Sequence, residues 1–154
     1  MGVPQFAILF SLYVVVSTVL CFGVANTIGA AIFYLPLVVP LHGLSLVIML
    51  VLGITKRQHA IRFPPSLVYC VLGLQALMVL SSPANCFGIK QGDPCYSFVQ
   101  LWFVRLFTTE TVETMHLTVP HWTWIEQSFP VFVLLYVGTF ITLLIRLRWI
   151  PNAN

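Results

Sequence analysis

Residues 6–25 read FAILFSLYVVVSTVLCFGVA, a run with no formal charge. An α-helix of about 20 residues crosses a hydrocarbon core about 30 Å thick, and within that core only a helix or a closed barrel satisfies every backbone donor and acceptor. No basic residue precedes Phe6 and no small-x-small cleavage pattern surrounds Ala25, so the run reads as a membrane span and not as a secretory signal. The first charged side chain along the sequence is Lys56. Over all 154 residues, 59% are hydrophobic and 7% charged, with a mean hydropathy of +0.98. A soluble domain carries about a quarter charged residues. Composition therefore excludes a water-soluble fold and leaves one polytopic membrane domain, residues 1–154.

Three more apolar runs follow. Residues 30–54 form a second span in which Pro36 and Pro40 each remove a backbone donor, so this helix is expected to be kinked. Residues 65–82 form a third, opened by Pro65, where a missing amide is harmless. Residues 129–149 form a fourth, and the tail beyond it is too short to fold. The expected class is all-α integral membrane: four transmembrane helices, a kinked second span, and one long outer loop, 83–127, containing an interfacial amphipathic helix. Ser11, Thr18 and Ala25, with Cys21, make a small-residue strip on the first span. Gly73 with Ala76, and Gly138 with Thr142, do the same on the third and fourth, and all read as helix contacts.

Charge assigns sides. Lys56, Arg57, Arg62, Arg146 and Arg148 flank the spans, while the 83–127 loop holds Lys90 and Arg105 against all four acids, Asp93, Glu110, Glu113 and Glu126. By the positive-inside rule both termini and the 56–62 loop are expected on the cytoplasmic side of a bacterial inner or thylakoid-type membrane, with 83–127 on the periplasmic or lumenal side.

The outer loop also carries the candidate sites. Cys86 and Cys95 bracket FGIKQGDP, a bent connection in an oxidising compartment, and are expected to form a disulfide worth about 2.5 to 3 kcal/mol in the chain-entropy model. Residues 96–108, YSFVQLWFVRLFT, are too short to span, and a helical period places Trp102, Phe103 and Phe107 on an aromatic face suited to lipid or a partner. Glu110, Glu113 and His116 include one Glu-x-x-His pair, a weak metal-ligand pattern because the carboxylate-bridged metal proteins use it twice in a helix core. A solvated face explains it better.

His42 is the one strongly ionisable side chain within the apolar runs, and such a residue is a functional candidate by default. As a single axial ligand it would suit a chlorophyll-type pigment; a bis-histidine haem needs a second histidine that no other span offers. Hydrogen bonding to a carbonyl freed by Pro40 or to a neighbouring helix is the expected role, with no cofactor. Only His42 and Gln75 are strongly polar within the spans, so no converging polar path is expected. No phosphate-cradling glycine loop, C-x-x-C thiol pair, local catalytic triad or nucleic-acid site appears. Elimination favours a non-catalytic accessory or structural subunit of a larger membrane complex, energy-transducing or photosynthetic, whose partners are other integral membrane proteins and the lipid bilayer. A small transporter or channel is the alternative, and a quinone-linked thiol redox or pigment- or metal-binding membrane protein a further one.

Overall fold

The computed structural model describes residues 1–24, 28–82, 102, 106 and 123–151. The chain is mostly helical, in the order α1 (Val3–Val24), α2 (Ile28–Phe33), a π-helical turn (Tyr34–Val38), α3 (Val39–Thr55), β1 (His59–Arg62), α4 (Pro65–Leu80), α5 (Thr123–Gln127), α6 (Phe129–Ile145) and β2 (Arg148–Pro151). Three helical stretches among the described residues are long and apolar enough to cross a membrane: Val3–Phe22, Ala30–Thr55 and Trp124–Ile145. The fourth apolar helix, α4, has 16 residues and is about 24 Å long.

Each long helix turns one stripe inward at steps of three or four residues. On α1 the stripe is Val3, Phe6, Phe10, Val14, Ser17 and Cys21; on α6 it is Phe129, Val133, Tyr136, Phe140 and Leu143. That 3.5-residue spacing keeps a seam on one side of a helix along its whole length. The opposite faces present large apolar side chains such as Ile8, Leu12, Val19, Leu44, Val51, Leu134 and Ile141 to the surroundings, an arrangement suited to lipid and not to water. Within the bundle α1 packs along α3 and α4 along α6, whereas α1 and α4 meet only briefly. α1 and α3 approach closely at Gly53, where a Cβ would stand 3.0 Å from the Ala7 Cβ.

The proline-rich second segment is held by a wider turn. The Val39 amide bonds to the Tyr34 carbonyl, five residues back, and the loosened ladder accommodates Pro36, which has no amide to contribute. This turn sends both Tyr34 and Val38 inward, and the stripe continues on α3 through His42, Ser45 and Met49. At α4 the Pro64 backbone is extended (φ −70°, ψ 118°), as a residue before proline prefers, and Pro65 opens the helix.

Two expectations at the basic end are corrected. The last helix stops at Ile145, short of residue 149, and the tail is not unstructured: Arg148–Pro151 forms β2, antiparallel to β1, with Ile61 opposite Trp149 and Ala60 opposite Ile150. The all-α expectation thus omitted a small sheet. Its cause is local burial. Ile61 is almost fully enclosed, and an extended backbone carrying a buried side chain must pair its amides. The Ile61 amide donates to the Met1 carbonyl at 2.9 Å and Gly2 bridges Ala60, so the start of the chain, the basic loop and β2 meet at one end of the bundle. At the other end Thr123–Gln127, expected within the loop, is helical and leads through Ser128 into α6.

Candidate functional site

His42 lies near the centre of the bundle, 2% exposed. Its Nε2 is 2.7 Å from the Tyr136 hydroxyl on α6, and its Nδ1 is 3.2 Å from Thr18 Oγ1 on α1. Tyr136 is in turn 2.9 Å from the Tyr13 hydroxyl, again on α1. Directions follow from the far end. Thr18 donates its only proton to the Val14 carbonyl at 2.8 Å, so toward His42 it accepts, and Nδ1 carries the ring proton. Nε2 then accepts from Tyr136, and Tyr136 accepts from Tyr13. None of these partners is a carboxylate, which suits a neutral imidazole. The bonds leave α1 at Tyr13, pass through α6 and α3, and return to α1 at Thr18, tying three helices in one circuit.

Aromatic packing fixes the ring. Phe140 stands 5.4 Å from the His42 ring, 5.8 Å from Tyr136 and 5.8 Å from Phe10, centroid to centroid, and Tyr136 meets His42 edge-on at 77°. Ser45 closes the turn below by donating to the His42 carbonyl at 2.9 Å. Chemically the circuit orients and holds; it ends on a backbone carbonyl, which offers a proton nowhere to go.

The expectation that polar groups do not converge inside the spans is therefore corrected: Tyr13, Thr18, His42 and Tyr136, from three helices, are joined in one hydrogen-bonded chain. Sequence reading missed Tyr13 and Tyr136. A signal existed, because tyrosines in membrane helices favour the two interfaces, and these two stand near the midpoints of α1 and α6.

A second polar feature adjoins the circuit. Ser17 is fully buried with no hydrogen bond to its hydroxyl. Together with Tyr13 and Gln75 it lines a cleft of about 620 Å³ between α1 and α4, whose other walls include Leu12, Val16 and Val79. Gln75, 6% exposed, makes no side-chain hydrogen bond among the described residues.

The remaining candidates fall mostly elsewhere. Cys86, Cys95, Phe103, Phe107, Glu110, Glu113 and His116 lie outside the described residues. Trp102 is helical and more than half exposed, and Leu106, four residues on, is likewise helical and exposed. Among the described residues Cys21 and Cys70 are free thiols, and no three histidine, cysteine or acidic side chains gather where a metal could be held. Gly138 and Thr142 face outward, and nothing within 4 Å would meet a Cβ at Gly138.

These features define a helical protein with membrane-length apolar helices and a closed polar circuit. No family model matches the chain, and no curated protein or solved structure matches it at a significant level.

Proposed function

We propose that the chain is a non-catalytic accessory subunit of a larger membrane complex, crossing the bilayer four times and binding other membrane helices through its outer faces. The observation that carries this reading is the outward placement of Gly138 and Thr142 on α6. A small-x-x-x-small pair lets another helix approach closely, and among the described residues nothing lies within 4 Å of a Cβ placed at Gly138. Both ring nitrogens of His42 are engaged by protein, which favours a packing role over a pigment or haem ligand. α4 is taken as the fourth crossing because the start of the chain and β2 meet at β1, and an odd number of crossings would separate them. That end, with Lys56, Arg57, Arg62, Arg146 and Arg148, is the cytoplasmic one by the positive-inside rule.

On the opposite side the 83–127 loop, closed by a Cys86–Cys95 bridge, offers Trp102, Phe103 and Phe107 as a second contact. Purification in mild detergent followed by mass spectrometry of co-purifying chains tests the reading. Wild type should bring down at least one other membrane protein in fixed proportion. Gly138→Leu or the pair Trp102→Ala and Phe103→Ala should release it, since buried interface aromatics are worth about 2 kcal/mol or more each. A chain that runs alone and moves solute in reconstituted vesicles would promote the small transporter instead.

A further inference from the structure

Lys56, Arg57, Arg62, Arg146 and Arg148 crowd one end of the bundle, and all are exposed. Lys56 caps α3, and Arg57 follows at the corner of a turn that the His59 amide closes on the Lys56 carbonyl at 3.0 Å. Arg146 caps α6, and Arg62 stands directly opposite Arg148 in the β1–β2 ladder. The single acidic side chain among the described residues, Glu126, belongs to α5 at the far end of α6. Like charges placed opposite each other across an antiparallel pair repel. With no carboxylate side chain beside them among the described residues, Arg62 and Arg148 leave this end suited to an external anion.

A groove leads from the basic patch along the helices. It holds about 550 Å³ between Ala7, Ile8 and Ser11 of α1 and Gly53 and Ile54 of α3, with Arg57 at its end. Small side chains at Ala7, Ser11 and Gly53 leave the room, and the exposed Ile8 and Ile54 form apolar rims. Ser11 donates its proton to the Ala7 carbonyl at 2.7 Å, so no hydroxyl proton on this wall waits for a partner. Ser11 lies eight residues from the first residue of α1, about 12 Å along the helix. The groove thus joins a cation at its mouth to a hydrocarbon-compatible wall.

That combination discriminates between anions. Free phosphate would leave the apolar wall unused, and an acidic protein segment would meet the charges without following a groove that faces hydrocarbon. A zwitterionic lipid brings its own cation to a patch that is already positive. We propose that the α1–α3 groove binds an anionic phospholipid from the leaflet at this end. Its phosphate bonds to Arg57, with Lys56 beside it, and one acyl chain lies along Ala7, Ile8 and Ile54. Arginine suits this task because its guanidinium offers two parallel donors to a phosphate, and basic pockets between membrane helices hold such head groups. Binding of this kind requires the chain to be embedded in a membrane and does not require a protein partner.

The full chain in phosphatidylcholine nanodiscs tests this with two photoreactive lipids, a phosphatidylglycerol and a phosphatidylcholine, each carrying the same diazirine on the same acyl chain. Phosphatidylglycerol should label peptides around residues 7–11 and 50–54 about tenfold more heavily, as one charge-assisted phosphate contact requires, and unlabelled phosphatidylglycerol should compete. Arg57→Gln should bring labelling down to the phosphatidylcholine level, and Arg57→Lys should keep part of the excess; an unchanged melting temperature shows that the bundle is intact. Ile54→Trp, which narrows the groove from an exposed position with every charge retained, should also cut the labelling. Equal labelling by the two lipids overturns the proposal, as does an excess that survives the pair Lys56→Gln and Arg57→Gln. Displacement of the label by a polyglutamate peptide, with unlabelled phosphatidylglycerol unable to compete, would give the patch to an acidic protein segment and overturn it as well.

Discussion

The circuit through His42 and the α1–α4 cleft beside it draw on the same helix, with Tyr13 and Ser17 one turn apart, and they differ in whether the chain satisfies its own polar atoms. Tyr13, Tyr136, His42 and Thr18 all find partners. Ser17 and Gln75 do not. Inside a membrane a satisfied polar group acts as an orienting tie between helices, and an unsatisfied one costs stability unless something else meets it. The first region should therefore lose stability on mutation, and the second should lose little or none.

The largest effect should come from the packing that holds the circuit. Phe140→Ala removes a fully buried ring that touches Phe10, Tyr13, His42 and Tyr136, and should destabilise the bundle by about 3 to 5 kcal/mol, read as a fall in the thermal or detergent midpoint. Tyr136→Phe comes next. It deletes the hub hydroxyl, orphaning His42 Nε2 and the Tyr13 hydroxyl at once, for about 1 to 3 kcal/mol. An unchanged midpoint would mean that the ties contribute nothing. Thr18→Val keeps the shape and removes only the acceptor for Nδ1, so about 0.6 kcal/mol is expected, the usual worth of an interhelical hydrogen bond in a membrane. Smallest of all, Ser17→Ala should leave the midpoint of the protein unchanged or slightly raised, because it deletes a buried hydroxyl that has no partner. A loss comparable to that of Tyr136→Phe would erase the contrast between the two regions.

Much of the architecture was legible because membrane length is written directly in runs of uncharged residues; α1, α3 and α6 follow from that alone. Which side of each helix faces inward was not. Helices that are apolar all round carry no hydropathic period, so Val14 and Val15 look alike although one is buried and the other exposed. His42 stood out as an ionisable residue in an apolar run, but its partners are tyrosines and a threonine, residue types that such runs contain for many reasons. The β1–β2 pair escaped notice because each strand has four residues, too few for an alternating pattern to register, and the pairing joins segments far apart in sequence. Gln75 was visible as a polar residue in the third span. That it shares a wall with Ser17 depends on how α1 and α4 diverge, which no local pattern encodes.

The account rests most heavily on the claim that His42 is held entirely by protein groups, as a tie and not as a ligand. Nitrogen-15 NMR of histidine-labelled protein in nanodiscs addresses it directly. One neutral tautomer is predicted for His42, protonated at Nδ1 and accepting at Nε2, with the Nε2 resonance shifting in Tyr136→Phe and the Nδ1–H resonance in Thr18→Val. A ring protonated at Nε2, or an Nε2 resonance displaced by a metal or pigment and indifferent to Tyr136→Phe, would contradict it.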